Sequence, residues 1–405
     1  MKKIKKVASI TIAVMILAAM AVLPASADGS DNITVSLRIE GIAESMYYNQ
    51  AIELAAGATV ADLLATVNEM EDSPEIILTD GAYGAYVGEI DGLAEFAYGD
   101  MSGWSYRVNG LSPTFGIDLY ELENGDEVVN FYGDPFGIGM QYPIADLSRL
   151  VNDGIIKFTS IDSEYDEDWN EIYSENPVGS AEVTFDAQTY TTDENGEITI
   201  ADKTGISGFH TLQIERYDEQ SGVPTVLRLA PDFEIYAPFA DTPDEAWYDG
   251  AVMFCVGEGY FIGTDLALNL FAPMNKMRMD HLVIVLARIA GAYDPSDAGG
   301  AVTWALENEI LGGNEFVVGI NVTRETFISM FYRTVDLIGS YDMTDRADIT
   351  GAADYGDISE DCLETVSWAV AAGIIRGTSE NELTIDPGFE INRATVCQML
   401  YNYYN

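Results

Sequence analysis

The stretch Ile33-Thr-Val-Ser-Leu-Arg-Ile39 alternates apolar and polar residues, which predicts a strand with one buried face. Ala51 to Leu54 predicts a second short strand. Gly57-Ala58 then leads into Thr59, a residue suited to an N-cap, and Val60, Leu63, Leu64 and Val67 recur at helical spacing. After a turn-rich passage, Ala85 to Ile90, Trp104 to Val108 and Val128 to Tyr132 read as further strands. Asn109-Gly110 marks a hairpin, because both positions tolerate positive φ.

Strand, strand, helix and further strands is the order of an α+β, β-grasp-like module, expected over residues 28–137. Gly133, Pro135, Gly137, Gly139 and Pro143 break regular structure after it. Residues 138–237 read as a linker and an all-β spacer, with strands near Ala181 to Phe185, Glu197 to Ile200, Gly208 to Glu215 and Pro224 to Leu229. Asp162, Glu164, Asp166, Asp168 and Asn170 alternate like calcium ligands, but Glu167 stands where an EF-hand loop needs glycine, so a solvated acidic loop is expected and no metal.

Residues 238–405 hold a degenerate repeat. An aromatic is followed nine residues later by glycine at Phe254/Gly263, Trp304/Gly313 and Trp368/Gly377. Gly259-Tyr-Phe-Ile-Gly263-Thr264 matches Gly373-Ile-Ile-Arg-Gly377-Thr378. Each copy then reaches an arginine opening an apolar helix, read as Arg278, Arg324 and Arg393. One unit is therefore helix, glycine-bounded loop, helix, and the copies span about 238–292, 293–340 and 348–405.

Composition sharpens this picture. The chain has 405 residues with 67 Asp or Glu against 19 Lys or Arg, a formal charge of -48 that leaves no basic face for nucleic acid. With 48% hydrophobic residues it is folded rather than an acidic tail. Its two histidines, His210 and His281, lie in no nucleophile motif, and Cys255, Cys362 and Cys397 lack C-x-x-C spacing and read as buried small hydrophobes, with one structural bridge as the alternative. Lys2, Lys3, Lys5 and Lys6, the apolar run Val7 to Leu23 and Ala25-Ser-Ala27 predict a cleaved export signal over residues 1–27. Its removal leaves 15 basic against 67 acidic residues, or -52. No second apolar run reaches the roughly eighteen residues needed to cross a bilayer, so no membrane association is expected after cleavage.

Three resemblances follow from these residues. Gly103-Trp104-Ser-Tyr106-Arg-Val-Asn109-Gly110, Gly116-Ile-Asp-Leu-Tyr120 and Asn124-Gly-Asp-Glu-Val128 resemble a bacterial surface family related to the C-terminal domain of transcobalamin and intrinsic factor. That resemblance implies capture of a small ligand such as a corrinoid or glycan, with Trp104, Tyr106 and Asn109 as contacts; packing of Trp104 in the core or rim is the competing reading. Tyr83, Tyr86, Tyr98 and Tyr106 add contact area with polar tips. The Tyr190 to Gly196 turn resembles those of immunoglobulin-like or carboxypeptidase-regulatory-like spacers.

The triple pattern resembles the S-layer homology (SLH) family, through Phe239-Ala-Asp241, Trp247-Tyr248, Phe271-Ala-Pro273, Met277-Arg-Met-Asp280, Val322-Thr-Arg-Glu325 and Ile391-Asn-Arg-Ala-Thr395. It implies an all-α bundle of three repeats, held at the cell wall of a Gram-positive-type bacterium by secondary cell-wall polysaccharide, often pyruvylated. Arg278, Arg324, Arg393, Asp241, Trp247, Gly263, Thr264, Gly377 and Thr378 are the contacts expected from it. An arginine fork at a helix N-terminus suits a carboxylate; the alternative is that each arginine pairs with a nearby acid such as Asp280 or Glu325. The whole reads as a non-enzymatic, secreted surface protein with no catalytic residues and no cofactor beyond a bound ligand.

Overall fold

A computed structural model describes residues 32–134, 137–165, 171–243, 245–297, 299–313, 316–339, 343–376 and 383–405, without the side chains of 162–173. The expected export segment 1–27, the side chains from Asp162 to Asn170, and Gly377 and Thr378 lie outside the described residues. The chain divides into two compact units, one running to Ala201 and resuming over His210–Ile235, the other formed by Asp202–Phe209 and Tyr236–Asn405. Among the described residues no helix is long and apolar enough to cross a membrane.

In the first unit β1 (Asn32–Glu40) and β2 (Ser45–Ala55) form a hairpin followed by α1 (Val60–Asn68). Thr59 caps the helix: its hydroxyl accepts from Asp62 N at 3.3 Å, and the Asp62 carboxylate accepts from Thr59 N at 2.8 Å. Such a reciprocal cap contributes about 1 kcal/mol. The apolar stripe Val60, Leu63, Leu64 and Val67 joins Val35, Leu37 and Ile39 of β1 in one core. Next come β3 (Ile76–Gly81), β4 (Gly84–Ile90) and β5 (Leu93–Ala94), which make a small antiparallel sheet, then β6 (Gly103–Val108) and β7 (Glu127–Gly133). The main sheet has the order β2-β1-β7-β6, with β1 parallel to β7 and the other pairs antiparallel.

β7 is buried along nearly its whole length because both faces are covered. Val128 and Tyr132 face the α1 side, while Val129 and Phe131 meet Met140 and Leu227 from the following segment. That segment contains β8 (Ile144–Asp146), the short α2 (Leu150–Asp153), β9 (Ile155–Tyr165), β10 (Glu171–Pro177), β11 (Glu182–Phe185), β12 (Gln188–Thr191), β13 (Glu197–Thr199), β14 (Gly208–Tyr217) and β15 (Pro224–Val226). They form two sheets, one ordered β10-β9-β13 with β8 on β9, the other β12-β11-β14-β15. Gly196 in the turn before β13 has φ 76°, and a Cβ there would sit 2.2 Å from Phe158 O, so only glycine closes it.

Among the described residues of 236–405 there are six α-helices: α3 (Asp249–Gly257), α4 (Met279–Ile289), α5 (Gly300–Glu307), α6 (Arg324–Ile338), α7 (Leu363–Ala371) and α8 (Arg393–Tyr404). They pair cyclically, α5 on α4, α7 on α6 and α3 on α8, so the first helix of each repeat packs on the second helix of another. One continuous apolar core joins all six. Gly259, Glu309 and Gly373 follow the caps of α3, α5 and α7 with φ of 69°, 56° and 71°; the middle repeat holds the left-handed position without glycine.

Candidate functional site

The three segments that precede α4, α6 and α8 meet in a closed ring of backbone hydrogen bonds. Met277 N donates to Ile391 O at 2.9 Å, Ile391 N to Val322 O at 3.0 Å, and Val322 N to Met277 O at 2.8 Å. Outside the ring the pattern repeats: Met279, Arg324 and Arg393 donate their backbone N–H to Ile320, Phe389 and Asn275. The bridges Arg278↔Asn321, Thr323↔Glu390 and Asn392↔Lys276 complete an approximate threefold arrangement.

This ring corrects the register of the repeat. The residues at the equivalent N-cap positions are Arg278, Thr323 and Asn392, and those one step later are Met279, Arg324 and Arg393. Arg278 is therefore not the counterpart of the other two arginines; Met279 is, and it is buried. Met-Arg-Met-Asp can be set against Thr-Arg-Ala-Glu by its arginine and acid, and only the backbone pairing reveals the one-residue offset. Thr323 and Asn392 cap their helices with side-chain oxygens, whereas Arg278 cannot.

Arg393 is 8% exposed. Its Nε donates to Phe271 O at 2.9 Å and Nη2 to Ile262 O at 2.8 Å, and its guanidinium lies 4.4 Å from the Phe271 ring centroid and 5.0 Å from that of Phe261. Arg324 makes the same kind of contact one repeat on, donating to the carbonyls of Ile385 and Asp386, with its guanidinium 5.1 Å from the Phe389 ring. Burial pulls both guanidinium groups below the ordinary arginine value. Asp241 holds the other side of the same turn, accepting from Phe271 N at 2.8 Å and Ala272 N at 2.7 Å, and Asp354 repeats this with Ile385 N and Asp386 N. Ala272 and Asp386 have φ of 58° and 54°, so each acid–arginine set clamps a left-handed turn between repeats.

Arg278 differs. Its side chain is 42% exposed and forks onto Asp280 at 3.2 and 2.6 Å. Burial of Asp280 opposes its ionisation, but the Gly319 N–H and Arg278 outweigh it and hold the carboxyl below its usual range. Lys276 stands 4.7 Å from the Phe389 ring. Lys276, Arg278, Arg324 and Arg393 are half of the eight Lys and Arg in residues 236–405, so the ring concentrates positive charge in an acidic unit.

Of the remaining expected contacts, Gly263 is confined, since a Cβ there would come 2.9 Å from the Phe239 ring. Thr264 is exposed, with its N–H bonded to Leu270 O at 2.7 Å. Trp247 is 60% exposed and meets buried Tyr248 edge-on at 5.2 Å. Ile262, Leu266, Leu268 and Met274 leave large apolar side chains at the surface of this loop, a feature the repeat pattern gave no reason to single out.

In the N-terminal module the three expected contacts are held internally. Trp104 is 9% exposed, donates Nε1 to Leu93 O at 2.8 Å and packs edge-on against Tyr132 at 5.3 Å, which makes it a core residue. Tyr106 is bonded to Phe115 O at 2.9 Å, and burial pushes its phenol up to about 12. Asn109 has φ 51°, accepts from Glu127 N at 2.9 Å and donates to Asp126 at 2.7 Å. The exposed aromatic surface is elsewhere: Tyr83 is 83% exposed, Leu119 58% and Phe115 42%, with Phe115 stacked on Tyr120 at 5.9 Å. Gly116 N donates to Tyr83 O at 2.8 Å, and a Cβ on Gly116 would sit 2.6 Å from the Gly84 backbone, so the two glycines bring these residues together. Phe115 precedes the Gly116 to Tyr120 string and Leu119 lies within it; both sit in a turn-rich passage where no alternation of apolar and polar residues marks them.

Residues 57–133 match a family model described as a domain of unknown function (DUF4430), the stretch that also carries the transcobalamin-like strings. Solved structures similar over parts of the chain include the following two. Haptocorrin in complex with Cbi shares 18% identity over 26% of this chain and 26% of that one, with a TM-score of 0.24. A "putative metal binding protein" from Ruminococcus gnavus shares 14% identity over 25% of this chain and 97% of that one, with a TM-score of 0.21. The chain thus spans about a quarter of the haptocorrin structure. No curated protein matches.

Proposed function

We propose that this is a non-enzymatic, exported surface protein whose residues 238–405 act as an SLH-type anchor on anionic secondary cell-wall polysaccharide, with the β-rich remainder displaying a β-grasp-like binding module. The observation that carries this reading is the threefold ring, where half of the unit's cations gather beside exposed loops. In that reading Arg324 and Arg393 shape the loops, and Arg278, the most accessible of the three, meets the polymer's acid groups.

Full-length protein is expected to sediment with isolated Gram-positive-type cell walls, a chain ending at Ile235 to remain in solution, and Arg278→Ala to weaken sedimentation about tenfold or more. Because the exported chain carries -52, moderate salt is expected to strengthen binding by screening repulsion beyond about 8 Å. Wall binding by the truncated chain would overturn the reading.

The exposed Tyr83, Phe115 and Leu119 surface supports a second role, capture of a flat or glycan ligand by residues 31–136. Calorimetric titration of the full chain with cobalamins and with wall-derived oligosaccharides checks it. Tyr83→Ala is expected to abolish any heat of binding, and no heat from either class would refute the role.

A further inference from the structure

The cyclic packing of α3 to α8 has three seams, and they are not alike. The α4/α5 seam is tied by the chain between Ala290 and Gly299, and the α6/α7 seam by the chain between Gly339 and Cys362. The α3/α8 seam joins the first repeat to the last and has no connecting chain of its own. It is the seam whose opening costs no other covalent constraint.

Cys255 lies on α3 and Cys397 on α8, 142 residues apart, and both are fully buried. Cys255 Sγ donates to Cys397 O at 3.7 Å, which sets the two residues against each other across the seam. The repeat supplies an internal comparison. Counting from the helix caps, Cys255 corresponds to Ala305 and Ala369, and Cys397 to Val283 and Ile328. All four counterparts are buried and apolar. Only at the unconnected seam are both positions cysteine.

We propose that Cys255 and Cys397 form a disulfide that closes the ring of repeats when the protein meets an oxidising surface environment. Two S–H bonds break and one S–S bond forms. The two electrons and two protons pass to a low-molecular-weight disulfide, which is reduced to two thiols. Burial pushes the Cys255 thiol well up, with Cys397 adding to the shift, so thiolate is scarce and the exchange is slow in the folded state. Cys362, on the separate α7 approach beside Ser329, stays a thiol.

The test uses the full chain, incubated folded with oxidised glutathione, then acid-quenched, denatured and alkylated. The expected result is one alkylated cysteine out of three and a linked peptide pair containing Cys255 and Cys397, two hydrogens lighter than the sum of the reduced peptides. The oxidised protein is expected to melt higher than the reduced one by about 5 °C or more, and Cys397→Ser to lose both the link and the shift. Three alkylated cysteines after prolonged oxidation, a link that involves Cys362, or a link that forms only in denaturant would each overturn the proposal.

Discussion

Arg393→Ala is expected to destabilise residues 236–405 by about 3–5 kcal/mol, lowering the corresponding calorimetric transition by roughly 10 °C. The side chain is a buried cation whose partners are two loop carbonyls and two aromatic faces. Removing it leaves the carbonyls of Phe271 and Ile262 without their donor and opens space between Phe261 and Phe271. Each charge-assisted bond contributes about 1.5–3 kcal/mol, and the lost packing adds to that. Arg278→Ala is the control: its ion pair with Asp280 is half-exposed, so the same scan is expected to move by no more than about 1 kcal/mol. A small shift for Arg393→Ala, equal to the control, would mean that the arginine does not hold the repeats together.

The contrast between these two arginines marks where the sequence stops being readable. Strands and helices with one buried face announced themselves: β1, α1 with its Thr59 cap, β4, β6 and β7 lie within a few residues of where alternation and spacing put them. β3 did not, because Ile76 to Gly81 buries only Ile76 and shows no clean alternation. The aromatic-to-glycine spacing found three helix–loop–helix units, and their cyclic pairing follows from three equivalent interfaces.

The site was less legible for two physical reasons. An arginine beside an acid looks the same in sequence whether it stands just before a helix or one residue later, reaching into the next repeat's turn; the backbone ring decides it. Similarly, Trp104, Tyr106 and Asn109 stand out as residue types, yet each spends its polar group on a partner 9 to 17 residues away. The exposed Tyr83 and Phe115 are brought together by a Gly84–Gly116 approach, a long-range contact that local pattern does not encode.

Glu40→Gln is expected to lower the stability of the first unit by about 3–5 kcal/mol, read as a fall in the urea midpoint of its unfolding. Arg38 and Glu40 alternate with Val35, Leu37 and Ile39, so a strand with one buried face puts them on its polar side. Both are nevertheless buried, and the Glu40 carboxylate is held between two arginines: Arg38 Nη1 at 2.9 Å and Arg228 Nη2 at 2.8 Å, with side-chain exposures of 7%, 3% and 12% for Arg38, Glu40 and Arg228. Arg228 also donates to Gly41 O at 2.9 Å and Ile42 O at 3.0 Å, and Arg38 to Arg228 O at 2.9 Å, so the triad ties β1 to the segment after β15. The amide keeps the shape but leaves two buried cations without a counter-charge, and added salt is not expected to restore the loss because the site is closed to ions. Replacing all three residues by apolar ones of similar size removes the uncompensated charge together with the pair, and is expected to recover most of the stability. If Glu40→Gln unfolds at the same urea concentration as the parent, the triad contributes shape rather than charge, and the arginines must reach water in the folded protein.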